Sequence, residues 1–218
     1  MSQAAPSLAP PASPRAALLV IDVQNDFMPS GRLPVADGDA VVPLINRLGA
    51  RFANVLLTQD WHPADHVSFA SRHAGRRPFE QIALPYGPQT LWPDHCVQGS
   101  EGAALHAELE LPHARLLIRK GGDREIDSYS AFVEADRRTR TGLAGYLRER
   151  GIDTVYCCGL ALDFCVAWSA LDARADGFAT AVIADACRAI DLDGSLAGAW
   201  QWMDQAGVHR VTAAELLR

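Results

Sequence analysis

Lysine is nearly absent from this chain: of 20 Lys plus Arg residues, only Lys120 is a lysine. The other cations are arginines, wide forks that stay charged, whereas lysine is a compact ammonium whose pKa moves on burial. A position that keeps the compact cation in so arginine-biased a sequence is a candidate for a site the fork does not fit. An excess of positive charge is missing too. The formal net charge is -6, which argues against nucleic acid as a partner, because phosphate recognition needs a basic face. No apolar run approaches the roughly 20 residues of a membrane span, so no membrane is expected. The N-terminus lacks the basic start and apolar centre of a signal peptide. Met1 to Pro14 carries no charged side chain and is rich in Ala, Pro and Ser, so residues 1–14 are expected to be a disordered tail. No CxxC pair occurs, and the five cysteines are odd in number and irregularly spaced. That favours free thiols in a reducing compartment, the cytoplasm.

What is present is enough for one sizeable core. At 218 residues and 49% hydrophobic content, residues 15–218 are expected to form a single domain, with a homo-oligomer left open. Six apolar runs read as strands: Ala16–Asp22, Ala53–Asp60, Arg115–Lys120, Thr154–Gly159, Ala179–Asp185 and Val208–Thr212. Their continuous rather than alternating apolar character predicts strands covered on both faces, as in a parallel sheet. Helical composition over Asp39–Phe52, Thr141–Arg150, Asp163–Asp176 and Ser195–Ala206, with Gly151, Gly177 and Gly207 as C-terminal stops, completes a three-layer α/β domain. Such sheets hold ligands at the carboxyl ends of their strands. Between about Trp61 and Pro112 the alternation fails, and an irregular insertion that long is usually functional.

Chemistry-bearing residues gather at the strand ends. Asp22 ends the first run, Lys120 the third, and Cys165 follows the fourth. Asp163 suits an N-cap, which places Cys165 in the first helical turn, where the helix dipole favours a thiolate. Lys120 nearby would push the same way, and Asp22 could take the thiol proton. The N–H groups of Ala161 and Cys165 are candidates for an oxyanion hole. Cys157, Cys158 and Cys187 read as packing residues. In the irregular segment, Asp60 and His62 share a side of an extended chain. With His95 they make a two-His, one-carboxylate set for one divalent metal, Zn, Fe or Mn. His66 is either a further ligand or a hydrogen-bonded support. His73, His106, His113 and His209 read as solvated, and Arg137–Arg140 as an exposed face.

Taken together, Asp22-Val-Gln-Asn-Asp-Phe27, Asp60-Trp-His-Pro63, His66-Val-Ser-Phe69, Trp92-Pro-Asp-His-Cys96, Arg119-Lys-Gly121, Gly159-Leu-Ala-Leu-Asp-Phe-Cys-Val166 and Asp185-Ala-Cys-Arg188 resemble the nicotinamidase (pyrazinamidase) branch of the isochorismatase-like cysteine hydrolases. The resemblance runs from about Ala16 to the C-terminus. It implies a six-stranded parallel sheet between helices and an amidase that converts nicotinamide to nicotinate and ammonia through a cysteine thioester. It implies Asp22, Lys120 and Cys165 as the catalytic triad, Asp60, His62 and His95 as metal ligands, and a cis bond between Leu160 and Ala161. Phe27 and Trp92 resemble the residues that sandwich a pyridine ring, and Tyr129 a further pocket wall. The implied partner is a small-molecule amide; the nearest alternative is an N-carbamoyl or ureido substrate. Leu162 departs from the family, which usually has a small hydroxyl residue there.

Overall fold

The computed structural model describes residues 7–218. All six apolar runs become strands of one sheet: β1 (Ala16–Ile21), β2 (Val55–Asp60), β5 (Leu116–Lys120), β6 (Thr154–Leu160), β7 (Ala179–Arg188) and β8 (His209–Val211). Their order is β5-β2-β1-β6-β7-β8, and every pairing is parallel. Strands β1 and β6 are buried along their whole length, as expected where unbroken runs of Leu, Val, Ile and Cys are covered on both faces. Gly159 is needed at their closest approach: its φ is 115°, and a Cβ there would overlap the Ile21 carbonyl.

The helices are α1 (Val42–Gly49), α2 (Leu143–Glu149), α3 (Ala167–Ala175), α4 (Ser195–Gln205) and a short α5 (Ala213–Leu216). α1 and α5 pack together on β7, and α3 packs with α4 and on β6 and β7. Three helices are shorter than their composition predicts. A 3-10 turn, Gly38–Val41, precedes α1, and a π-turn, Leu162–Val166, precedes α3. The irregular segment contains a hairpin absent from the sequence reading, β3 (Gln81–Leu84) with β4 (Gly87–Thr90). Its strands, four residues each, are too short to give a period-2 signal. Among the described residues no helix is long and apolar enough to cross a membrane.

The tail expectation is corrected for residues 7–14. Leu8 and Ala9 pack on the core, the Ala9 N–H donates to Thr154 Oγ1 at 3.2 Å, and the Tyr156 hydroxyl donates to the Ala9 carbonyl at 2.8 Å. Prolines restrict this stretch before folding, so ordering it costs less entropy than its composition suggests. Residues 1–6 of the expected tail lie outside the described residues.

The order of strands reverses between β1 and β6, the place where open α/β sheets bind ligands. Asp22, Asp60, Lys120 and the turn after Leu160 all sit at that carboxyl edge.

Candidate active site

Parallel register brings the charged strand ends together. Asp60 and Lys120 are direct partners across β2 and β5, and Lys120 Nζ lies 2.5 Å from Asp60 Oδ1. The same ammonium is 2.8 Å from Asp22 Oδ2 and 3.4 Å from Cys165 Sγ. Its side chain is wholly buried. A buried cation survives only with compensating charge. Burial works against the Lys120 ammonium, but the Asp22 and Asp60 carboxylates outweigh it and hold the group protonated well beyond the ordinary lysine range.

Asp22 steps out of β1 with a left-handed φ of 49°, which turns its carboxylate toward β2. There Thr58, a residue the sequence did not single out, holds it twice. The Thr58 hydroxyl donates to Asp22 Oδ1 at 2.6 Å and accepts the Asp22 N–H at 3.1 Å. Oδ2 keeps Lys120 as an ion-pair partner, off the direction of a hydrogen bond. Burial raises the Asp22 carboxyl above its usual range, and Lys120 offsets this in part. A carboxylate oxygen of Asp22 and Cys165 Sγ lie within 4.8 Å.

At the turn after β6 one expectation is corrected. Asp163 caps no helix; the N-cap position belongs to Ala161. The Asp163 carboxylate instead accepts the N–H groups of Ile190 and Asp191, at 3.0 and 2.7 Å, and the Ser195 hydroxyl at 2.5 Å. It ties the Cys165 turn to the loop before α4. Cys165 still lies in the first turn, and the Leu160–Ala161 bond is cis. Among the described residues, the Ala161 N–H has no backbone or side-chain acceptor. The pull toward a thiolate expected at Cys165 is opposed by its surroundings. Burial pushes the thiol well above its ordinary pKa, Lys120 pulls it down, and Asp22 and Asp60 push it further up. Desolvation and two carboxylates favour the thiol form, against the pull of one ammonium and the end of a short turn.

Asp60, His62 and His95 present ligand atoms within 4.8 Å of one another, all buried. His62 Nε2 is 3.5 Å and His95 Nε2 3.8 Å from Asp60 Oδ2. Each histidine spends Nδ1 on a backbone carbonyl, Gly121 at 2.9 Å and Pro93 at 2.8 Å. With Nδ1–H so engaged, the neutral ring presents the Nε2 lone pair toward Asp60 Oδ2. Burial opposes ionisation of Asp60, yet Lys120 and His62 hold its carboxyl well below the usual range. Burial opposes charge on His62, but Asp60 outweighs it and raises the His62 pKa; with that proton displaced, two imidazole nitrogens and one carboxylate would fit a divalent cation. Gln24 clamps this strand end: its Nε2 donates to the Asp60 carbonyl at 2.9 Å and its Oε1 accepts the Asp60 N–H at 2.8 Å. Gly121 has φ 66°, and a Cβ there would overlap the His62 ring. His66 stacks on His62 with centroids 4.2 Å apart. Its Nδ1 is 2.7 Å from Ser68 Oγ and its Nε2 3.1 Å from the Ile126 carbonyl, the arrangement of a support.

Over Cys165 opens a narrow slot. Phe27, Trp92 and Tyr129 line it, and so do Leu33, Phe164 and Ile190, which the sequence did not reveal. Trp92 Nε1 donates to the Tyr129 hydroxyl at 3.1 Å, and Phe164 meets Trp92 edge to face at 5.0 Å. A slot walled by aromatic rings, with a thiol at one end and a nitrogen–carboxylate set at the other, suits a small flat heterocycle. Asp127 and Ser128 also line it. Asp127 accepts from Gln89 Nε2 at 2.5 Å and from the Ser128 N–H at 2.8 Å.

Elsewhere, His73 and His113 are not free in solvent: each has Nε2 at a backbone carbonyl, Val67 at 2.8 Å and Gly49 at 3.0 Å. His209 Nε2 is buried without a hydrogen-bond partner. Arg137 and Arg140 pair with Asp172 and Asp176, fastening their loop. Cys157, Cys158 and Cys187 are buried in the core.

The Isochorismatase domain model matches residues 16–215. The nicotinamidase of Acinetobacter baylyi is 60% identical over 201 residues, 92% of this chain and 94% of that protein. A solved nicotinamidase/pyrazinamidase from Acinetobacter baumannii superposes with a TM-score of 0.93 at 59% identity, covering 94% of this chain and 99% of that one. The pyrazinamidase of Pyrococcus horikoshii, solved in complex with zinc, superposes with a TM-score of 0.74 at 33% identity over 91% and 99%. The matched stretch starts at the first residue of β1, ends inside α5 and contains every residue gathered at the carboxyl edge: the chain belongs to the isochorismatase family.

Proposed function

We propose that this chain hydrolyses nicotinamide to nicotinate and ammonia, with Cys165 as nucleophile, Asp22 as proton carrier and Lys120 as the charge that holds them together. The observation that carries the reading is the single buried ammonium touching Asp22, Asp60 and Cys165 at once. It joins a thiol, a base and a nitrogen–carboxylate donor set around one slot.

The slot orients the carboxamide, and orientation alone can lower a barrier by several kcal/mol. Phe27, Trp92 and Tyr129 hold the ring, and Phe164 closes one side. Cys165 Sγ forms a bond to the amide carbon as its proton passes to Asp22. A raised Asp22 pKa suits this step, because a more basic carboxylate is a better acceptor for a protonated thiol. The carbonyl electron pair moves onto oxygen, where the unpaired Ala161 N–H and the Cys165 N–H stabilise it. When the C–N bond breaks, the nitrogen takes the proton from Asp22 and leaves as ammonia. Water then adds to the thioester with Asp22 again taking a proton, the C–S bond breaks, and the thiol is restored. Lys120 stays protonated throughout and keeps Asp22 ionised between proton transfers.

Asp60, His62 and His95 would hold one divalent cation, zinc, iron or manganese, which supplies a Lewis-acid anchor for a heteroaromatic nitrogen. All five cysteines are unpaired and buried, which supports a reducing compartment, the cytoplasm. The test is ammonia release from nicotinamide by wild-type protein and Cys165→Ala. A fall of roughly 10³-fold or more in kcat with the fold retained is expected. Substantial turnover by Cys165→Ala overturns the mechanism. No turnover by metal-replete wild type moves the search to carbamoyl and ureido amides.

A further inference from the structure

A second carboxylate of the Asp22–Phe27 motif has no part in the chemistry above. Asp26 lies in the short 3-10 turn Asn25–Phe27 that follows β1, and it is buried, 4% exposed. Both donors to its carboxylate are backbone N–H groups: Cys96 to Oδ2 at 2.7 Å and Arg32 to Oδ1 at 3.2 Å. A buried carboxylate is costly unless its oxygens are satisfied, and its charge makes such bonds strong. The fold leaves no slack around it. A Cβ on Gly102 would lie 2.2 Å from Asp26 Oδ2.

The bond to Cys96 matters because of what Cys96 joins. Cys96 follows His95 in the chain, and its carbonyl accepts the His62 N–H at 3.0 Å. The two histidines are thus linked through the one residue whose N–H Asp26 holds. Cys96 has a left-handed φ of 47°, a conformation unfavourable for a residue with a side chain, which persists where the surroundings enforce it. Next to Asp26 in the chain, the Phe27 ring meets the His95 ring edge to face at 5.6 Å.

We propose that Asp26 is a positioning residue for the cation site: by gripping the Cys96 N–H it sets His62 and His95 at the spacing at which they and Asp60 share one divalent ion. The proposal rests on the reading of those three residues as metal ligands. Asp26→Asn keeps the size of the side chain but leaves one carbonyl oxygen for two N–H groups, so either Cys96 or Arg32 faces an amide NH₂ and loses its acceptor. Support of this kind, outside the ligands themselves, typically contributes about 10–100-fold to metal affinity.

The test uses the full chain loaded with zinc and titrated with a chromophoric chelator. Wild type should hold one equivalent, and His95→Ala should lose it. Asp26→Asn should raise the zinc Kd about 10–100-fold. Gly102→Ala, which displaces the carboxylate but keeps its charge, should raise it about tenfold. Asp172→Asn is the control for a merely structural role. It alters an equally buried carboxylate, 4% exposed and paired with Arg137, and should lower Tm while leaving the zinc Kd within about twofold of wild type. Should Asp26→Asn fail to fold, Gly102→Ala decides. The proposal is overturned by a wild-type zinc Kd in the folded deciding variant, or by equal weakening in Asp172→Asn. Wild type that holds no zinc, or His95→Ala with a wild-type Kd, refutes the ligand reading itself, and the proposal falls with it.

Discussion

Thr58→Val tests the electrostatics of the site without touching any residue that meets the substrate. The side chains are nearly the same shape, and Thr58 is wholly buried, so little repacking is expected. What goes is a hydroxyl that donates to Asp22 Oδ1 at 2.6 Å and accepts the Asp22 N–H at 3.1 Å. A hydrogen bond to a charged group contributes about 1.5–3 kcal/mol. Because the donor stabilises the ionised carboxylate, its loss raises the Asp22 pKa further. At 1.36 kcal/mol per unit, the acid limb of the site's pH–rate profile moves up by about one to two units. The limb belongs to the coupled Asp22–Lys120–Cys165 cluster rather than to one residue. If the ionised carboxylate is the proton acceptor, kcat/KM for nicotinamide below the limb falls about ten- to a hundredfold. For a chain of this size 1 kcal/mol shifts Tm by about 2–4 °C, so Tm should drop by about 3–12 °C above the limb. The sign is fixed. Asp22 is a group whose folded pKa is raised, and the variant raises it more. The stability deficit is therefore present at high pH and shrinks as pH falls through the limb, where the carboxyl is protonated and needs no donor. Stopped assays of ammonia release across pH, with melting curves in the same buffers, measure both effects. A folded Thr58→Val protein with its acid limb unmoved and kcat/KM within twofold of wild type would refute the reasoning.

Lys120→Arg should lower kcat at least a hundredfold, because a wide fork cannot sit between two carboxylates and a thiol where a fully buried ammonium does; kinetics at wild-type metal content check this. Gln24→Leu should weaken metal binding about 10–100-fold, since it removes both clamps on the Asp60 backbone; metal retained after dialysis against graded chelator reads it directly. Asp163→Asn should raise KM for nicotinamide more than it lowers kcat. It weakens the tie to Ile190 and Asp191 and loosens the slot wall at Ile190 without altering the thiol's neighbours; steady-state kinetics separate the two constants.

The sheet was legible because a strand covered on both faces must be apolar at nearly every position: β1 is so throughout, and β6 and the first half of β7 carry only Thr154 and Thr180 as hydroxyl residues beside Tyr156. The strand-end residues were legible for the complementary reason. Asp22 and Lys120 interrupt such runs where a charge would otherwise be costly, so they need partners. Thr58 and Gln24 were not legible. Threonine is an ordinary β-strand residue and glutamine an ordinary loop residue, and their importance comes from a register that pairs β1 with β2. Leu33, Phe164 and Ile190 were hidden the same way, as apolar residues in turns that become slot walls only when distant loops close over the sheet.

Asp163 and Cys165 show the opposite failure, in which a local rule was sound and tertiary structure overrode it. An Asp at the start of a helical segment is a good cap when solvent surrounds it. Here two N–H donors from the loop before α4 and the Ser195 hydroxyl at its start hold the same carboxylate, which is buried and finds its partners within the fold. A cysteine beside a lysine in a first helical turn favours a thiolate when the dielectric is high. In this site the ammonium is shared with two carboxylates, so little of its field is left for the sulfur, and burial decides. The consequence for mechanism is specific. On the proposed mechanism, a sulfur resting as the thiol must lose its proton as it attacks, which gives Asp22 a part in the first chemical step as well as in ammonia departure. A solvent deuterium isotope effect on acylation should therefore be present in wild type, and a thiolate-first pathway predicts that it is absent.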